Sequence, residues 1–442
     1  MRIKLSDHFT LKRLLKFVFP SIIMMIIISI YGVIDGFFVS NYVGKSAFSS
    51  LNLVMPFIMI LGGMGFMIGT GGSALVSKTL GQKENEKANK IFSMMIVFTT
   101  ILGLILSIIG IIFIRPVSYL LGASDEMIDN CVLYGRIVTS FTALFMLQNV
   151  FQSFLATAEK PKIGLIVTIA AGTTNAVLDY LFVAVFNFGL AGAAVATGIG
   201  QVVGGLIPLI YFIFPNDSLL KLVKTKLSIK ELLAACANGS SELMSNVSSS
   251  IVGMVYNLQL MKYIGEDGVA TYGVLMYVQF VFVAIFIGYS IGTAPIVGYN
   301  YGAANYDELK NVRKKSIAIM FTSGITLSII AQLLAGTLAK IFVGYDQNLY
   351  VLTVHAFRIF SFAFILTGFN IFSSSFFTAL NNGAISALIA FLRTLVFQFG
   401  SVIMLPLIIS VDGIWLAICV AEVFATAISL FFMITKQKVY NY

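Results

Sequence analysis

The stretch FVFPSIIMMIIISIYGVIDGFFVSN, residues 17–41, decides how the rest of the chain is read. It is apolar almost throughout and carries one charge, Asp35, near its end. A helix rises ~1.5 Å per residue, so ~20 such residues cross the ~30 Å hydrocarbon core of a bilayer. Similar stretches recur along the 442 residues without a long polar insert. They cover 17–41, 50–77, 91–114, 134–157, 163–186, 189–214, 232–261, 268–297, 316–343, 350–380, 384–410 and 413–435. Composition agrees: 58% of residues are hydrophobic, only 11% are charged, and the mean hydropathy is +0.95. Soluble proteins carry ~25% charged residues, so this chain cannot cover a water-facing surface. A soluble enzyme, a disordered chain and a disulfide scaffold are excluded. Barrel strands would alternate with period two, and these runs do not. The expected fold is an all-α membrane protein of twelve transmembrane helices.

The Lys and Arg residues give an orientation. Twenty-one of the 28 fall on the side of the termini: Arg2, Lys4, Lys12, Arg13 and Lys16; Lys78, Lys83, Lys87 and Lys90; Lys160 and Lys162; Lys221, Lys224, Lys226 and Lys230; Lys310, Arg313, Lys314 and Lys315; Lys436 and Lys438. Lys45, Arg115, Lys262 and Lys340 fall opposite, and Arg136, Arg358 and Arg393 lie in or at the edge of spans. Positive charge is retained on the cytoplasmic side, so both termini are expected in the cytoplasm of a multi-pass cell (inner) membrane protein. The net charge of +9 follows from that topology rather than from nucleic-acid binding, because the basic residues sit in the gaps between spans. The leading 19 residues are too polar, and the run after them too long, for a cleavable signal peptide. Cys131, Cys236 and Cys419 are isolated and suggest neither a disulfide nor a metal site.

The chain repeats itself at about half its length. Gly81 pairs with Gly302, Gly192 with Gly413, Gln201 with Glu422, and Phe151-Gln152-Ser153 with Phe372-Ser373-Ser374, all at offset 221. Tyr134-Gly135-Arg136-Ile137 pairs with Ala356-Phe357-Arg358-Ile359, and the Gly65–Thr70 run with Gly288–Thr293, at 222 and 223. Ordered matches at a nearly fixed spacing argue for duplication. Six spans per half is even, so the halves insert alike, related by a pseudo-two-fold along the membrane normal with a cavity between them. The expected organisation is an N-terminal six-helix lobe (1–214), a cytoplasmic linker (215–231) and a C-terminal six-helix lobe (232–442).

Four of the 19 acidic residues fall inside spans: Asp35, Asp179, Glu242 and Glu422. A charge at mid-bilayer costs ~2.5–3.5 kcal/mol even on a lenient scale, so such residues face an interior or water. Asp35 and Asp179 lie late in two outward-running spans and share a depth. Asn175 stands one turn before Asp179, and Thr197 lies in the outer half of the neighbouring span. Two carboxylates, an amide oxygen and a hydroxyl could coordinate Na⁺, or the carboxylates could share protons. The plainer reading is a polar pair that joins helices. Glu242 sits among Ser240, Ser241, Ser245 and Asn246, polar enough to line a wet cavity and a candidate for substrate or coupling. Glu422 and Arg393 fall at similar depth and read as a structural ion pair, since buried charges need partners. Pro20 frees a backbone carbonyl and can bend the first span. His8 and His355 are far apart, and no phosphate-binding loop or HExxH is present, so neither ATP hydrolysis nor metalloprotease chemistry is expected.

The run Pro295-Ile-Val-Gly-Tyr299-Asn300-Tyr301-Gly302-Ala303-Ala304-Asn305 resembles the end of the eighth helix of the multidrug and toxin extrusion (MATE) family, in its MepA-like bacterial branch. Asn175-Ala-Val-Leu-Asp179-Tyr-Leu-Phe resembles that family's fifth helix, and the first helix with Pro20 and Asp35 matches as well. The resemblance implies an antiporter that expels organic cations and other amphipathic small molecules in exchange for inward H⁺ or Na⁺. It implies a cation site at Asp35, Asn175, Asp179 and Thr197, and a seventh-helix acid at Glu242. The tenth helix, Phe372-Ser-Ser-Ser-Phe-Phe-Thr378, carries no acid, which argues against a second Na⁺ site there. No cofactor beyond the coupling ion is expected, and the chain is expected to act as a monomer in the bilayer. The rival within transport is a lipid-linked saccharide flippase, whose cavity would be strongly cationic. A receptor or scaffold would not need paired acids at one depth, and an intramembrane enzyme would need a catalytic constellation that is absent.

Overall fold

The computed structural model describes residues 3–442, with the side chains of Val33 and Lys45 outside that description. Arg2, counted above with the basic residues of the termini, also lies outside it. Among the described residues every regular element is helical. The first half of the chain forms α1 (Leu11–Phe38), α2 (Lys45–Gly81), α3 (Asn85–Leu120), α4 (Ile128–Ser140), α5 (Thr142–Thr157), α6 (Pro161–Asp179) and α7 (Gly189–Ile213). The second forms α8 (Ile229–Tyr263), α9 (Glu266–Gly302), α10 (Tyr306–Val343), α11 (Gln347–Phe360), α12 (Phe364–Ala379), α13 (Gly383–Phe391), α14 (Phe399–Met404), α15 (Pro406–Ile409), α16 (Val411–Thr435) and a terminal turn, α17 (Gln437–Tyr440). Three π-helical turns interrupt the rods, at Val39–Val43, Tyr180–Val185 and Leu392–Gln398.

Ten helical stretches are long and apolar enough to cross a membrane, or eleven if α4 and α5, bent by 55° at Phe141, form one span. The seventh expected stretch, 232–261, is α8, a helix of 35 residues whose Ser, Asn and Glu side chains leave it outside that set. The helices also run past the apolar stretches read from sequence: α2 starts at Lys45 and α3 at Asn85, because lysine-bearing turns continue the helix beyond the apolar run. Pro20 does not interrupt α1, which continues to Phe38.

The two halves meet through glycines. Gly81 of α2 lies against the Tyr299 carbonyl of α9, and Gly302 of α9 lies against the Lys78 carbonyl of α2. Both contacts shift into each other by 221 residues. Gly71 of α2 lies against Ala235 and Gly239 of α8, and Gly292 of α9 packs on Val18 of α1, again at 221. Gly288 of α9 would place a Cβ 2.6 Å from the Ser21 carbonyl oxygen and the Ile22 Cα. Reciprocal contacts of this kind are what a two-fold axis produces. Without a hydrophobic drive between helices in lipid, such close backbone approach supplies the association energy. All these crossings lie toward the termini. Toward the other end, Gly32, Gly253 and Gly273 have nothing within 4 Å of an added Cβ.

Residues 3–10 tie the halves together at the terminal end. The Leu5 amide donates to Glu159 at 2.8 Å, in the first half. The Phe9 amide donates to Glu308 Oε1 at 2.9 Å, and His8 Nδ1 lies 2.6 Å from Glu308 Oε2, in the second half. Lys315 Nζ and Asn311 Nδ2 donate to the Phe9 carbonyl at 2.7 and 3.1 Å. Leu5 and Phe9 are fully buried, so the strap is part of the core.

Candidate functional site

Asp35 stands in the last turn of α1, and Asp179 is the last residue of α6. In both helices a π-helical turn follows, at Val39 and at Tyr180. Such single π turns, where one residue is inserted into the i→i−4 ladder, recur at functional sites. Small residues let the helices close around the pair. Gly172 admits the Tyr31 ring to the face of α6, and Gly200 brings α7 so close that an added Cβ would lie 3.1 Å from the Asn175 Cβ. At Phe141 the chain turns by 55° between α4 and α5, and Gly198 of α7 packs on the Phe141 ring.

The pair is buried, with Asp35 5% exposed and Asp179 0%. The two carboxylates are near enough to act on each other electrostatically. Thr197 Oγ1 donates to Asp35 Oδ1 at 3.5 Å, the long limit of a hydrogen bond. Asn175 stands beside Asp179 on the same face of α6. Yet among the described residues neither oxygen of Asp179 has a hydrogen-bond donor within 3.5 Å, and the Asn175 carbonyl oxygen is equally unpartnered. No Lys, Arg or His forms an ion pair with either aspartate among the described residues. Buried acceptors left in this state are costly, and each needs a donor or a cation. Oxygen-only surroundings suit a hard cation, and carboxylates also take up protons. The structure thus brings together Asp35, Asn175, Asp179 and Thr197.

Tyr134 of α4 completes the cluster and was not among the residues singled out from sequence. Its hydroxyl is buried, lies close to both carboxylates and to Thr197, and has no hydrogen-bond partner within 3.5 Å among the described residues. In the sequence Tyr134 appears only as one residue of a repeat. Nothing in the apolar run around it announces the bend at Phe141 that aims it at the pair.

The remaining candidates lie apart. Glu242 of α8 is half-buried beside α2, where Leu243 and Asn246 pack on Gly63, and among the described residues its carboxylate accepts no hydrogen bond. Arg393, in the π-helical turn Leu392–Gln398, donates from Nε and Nη2 to Glu422 Oε1 at 2.9 and 2.7 Å. Asn370 donates to Glu422 Oε2 at 2.6 Å, so this acid, unlike Asp179, is fully engaged. Pro20 lies one residue before the Ser21–Ile22 contact with Gly288, at the crossing of α1 and α9. Among the described residues, no group of three or more His, Cys, Asp or Glu is placed to hold a metal ion.

Comparison with known proteins places this arrangement. The MatE family profile matches residues 20–181 and again 243–403. The multidrug export protein MepA of Staphylococcus haemolyticus (strain JCSC1435) is 29% identical over 328 residues, 72% of this chain and 71% of that protein. MepA of Staphylococcus aureus (strain MSSA476) is 25% identical over 387 residues, 86% and 84% of the two chains. The solved structure of a MATE protein in complex with MaL6 superposes with a TM-score of 0.93 at 22% identity, over 98% of both chains. An outward-facing multidrug resistance MATE family transporter of the MOP superfamily superposes at 0.92 and 22%, over 98% and 97%. At these identities the structural likeness speaks for the fold, and the two profile matches cover most of the chain. The chain belongs to the MatE family, whose members are transporters and not enzymes.

Proposed function

We propose that this transporter is a multidrug efflux antiporter, exporting organic cations and amphipathic compounds in exchange for inward H⁺ or Na⁺. The observation that carries the reading is the buried pair Asp35 and Asp179, with unpartnered oxygens on Asp179 and Asn175 and no ion-paired Lys, Arg or His among the described residues. An ion pair locked for structure would have its own cation, as Glu422 has Arg393. This pair instead waits for one. The naming of the Staphylococcus relatives as multidrug export proteins supports the solute class.

The cycle follows from the geometry. Twelve spans form two lobes, 1–214 and 232–442, joined by the cytoplasmic linker 215–231 and related by a pseudo-two-fold, which the reciprocal glycine contacts and the repeated profile match support. With both termini in the cytoplasm, the contacts among α1, α2, α8 and α9 close the inner side, while toward the outer side Gly32, Gly253 and Gly273 have nothing within 4 Å of an added Cβ among the described residues. A cation or proton arriving from outside binds between Asp35 and Asp179, with Asn175, Thr197 and Tyr134 around it. Binding neutralises the charge shared between α1 and α6, which already pack closely around the pair, and the π-helical turns that follow both aspartates repack. The ion stabilises one arrangement of the lobes and the solute the other. Exchange requires that difference in affinity, since a ligand indifferent to the two states shifts nothing. Glu242, half-buried and unpaired in the polar part of α8, offers an organic cation its countercharge. The protein works as a monomer in the cell membrane.

A lipid-linked saccharide flippase is not favoured. Such a carrier needs free cationic side chains within its spans, and Arg393 is spent on Glu422. The test is efflux of ethidium from vesicles containing the purified protein, with an Na⁺ or H⁺ gradient imposed separately. Uphill ethidium movement driven by one of them supports the proposal. No gradient-dependent movement with either ion rejects it.

A further inference from the structure

The segment between the halves is not a loose tether. From Ser218 to Ser228 it runs along the first turns of α3. The Lys221 amide donates to Asn89 Oδ1 at 2.9 Å, the Val223 amide to Ser93 Oγ at 2.8 Å, and the Thr225 hydroxyl to the Lys90 carbonyl at 3.0 Å. This register sets Lys224 and Lys226 opposite Lys87 and Lys90 around a cavity of about 460 Å³. Its floor is apolar, made by Ile91 and Met94, and among the described residues its only acid is Glu231. Lys87 pairs with Glu84 at 3.0 Å on the surface, whereas Lys90, Lys224 and Lys226 have no carboxylate partner among the described residues. The hydrogen bonds to α3 hold the segment along that helix and so gather four lysines around one hollow, where their ammonium groups repel one another and favour an anion.

What lies above the hollow identifies its class. One turn along α3 an exposed apolar stripe begins, Val97, Ile101, Leu104, Ile108 and Ile112, which in a membrane faces lipid. A basic pocket at the end of a lipid-facing helix matches a molecule with a phosphate at one end and hydrocarbon chains at the other. We propose that this cavity binds the headgroup of an anionic phospholipid, with its acyl chains along α3, so that the lipid pins the connecting segment to the first half of the chain. The inference concerns a surface far from Asp35 and Asp179, and it stands or falls independently of the transported solute and the coupling ion.

The experiment uses the full-length protein in phosphatidylcholine vesicles doped with phosphatidylglycerol, followed by native mass spectrometry of the lipid retained. The wild-type protein is expected to retain phosphatidylglycerol well above its share of the bilayer. A lysine near an anionic headgroup contributes about five-fold in affinity. Combining Lys87→Gln, Lys90→Gln, Lys224→Gln and Lys226→Gln should therefore abolish the enrichment, while Lys→Arg at the same four positions should keep it. Lys310→Gln, Lys314→Gln, Lys436→Gln and Lys438→Gln together, an equal loss of charge elsewhere on the same end, should leave it intact. Equal loss in both Gln sets would overturn the proposal in favour of a diffuse charge effect. So would displacement of the lipid by inorganic phosphate as readily as by soluble glycerophosphoglycerol, which would mark a site for free phosphate.

Discussion

Replacing Gly288 by alanine tests whether the crossing of α1 and α9 holds one side of the molecule shut. The new Cβ would start 2.6 Å from the Ser21 carbonyl oxygen and the Ile22 Cα, both backbone atoms that cannot rotate away. Ordinary contact begins near 3.4 Å, so the two helices must separate by about 0.8 Å. Overpacking of this kind costs ~1–3 kcal/mol. Charged against the closed arrangement alone, ~1–3 kcal/mol multiplies the population of the alternative by ~5–150-fold. Ser77 of α2, fully buried against Gly298 of α9, is a suitable reporter of opening at this same end of the molecule. In a background of Cys131→Ala, Cys236→Ala and Cys419→Ala, a cysteine placed by Ser77→Cys should react with a maleimide faster by that factor when Gly288→Ala is added. Gly253→Ala, in open space, should change nothing. An unchanged rate in a Gly288→Ala protein that elutes as the folded species would refute the reasoning. It would mean that the crossing is not what closes this end.

Other outcomes follow from the same geometry. Asp179→Asn removes a buried charge with no donor, so in Na⁺-free buffer the thermal midpoint should rise, by the equivalent of up to ~2.5–3.5 kcal/mol, while stabilisation by added ion is lost; a fall would show that donors hold the carboxylate. Arg393→Ala strands Glu422 and should cost ~3–5 kcal/mol in thermal unfolding, with Arg393→Met plus Glu422→Leu recovering most of it; equal loss in both would show that the pair is not an isolated unit. Glu308→Ala removes the acceptor for the Phe9 amide and should free residues 3–10 to hydrogen exchange at a local cost of ~1–3 kcal/mol; protection as in the wild type would show that the strap is held by Leu5 and Phe9 packing alone.

The sequence made the membrane class and the meeting of Asp35 with Asp179 readable, because a carboxylate in an apolar run is conspicuous and depth along a span can be counted. Asn175 followed from helical spacing and Thr197 from its depth in the neighbouring span. What it hid depends on tertiary packing. The bend at Phe141 lies in a run with no Pro or Gly at the break, so no local residue marks it, and Tyr134 is aimed by that bend. The π-helical turns after both aspartates leave no trace in composition. Glu308 counts as a surface acid until the strap is seen to cover it, leaving it 6% exposed. Even Gly81 and Gly302, noticed as a repeat, gave no sign that the two copies pack against each other's helices.

The most direct test of the account is ion-driven ethidium efflux by Asp35→Asn beside the wild-type protein, reconstituted to equal density in vesicles. The account predicts gradient-driven efflux in the wild type and none in Asp35→Asn, with both proteins equally folded. Efflux by Asp35→Asn at the wild-type rate under the same gradient would contradict it.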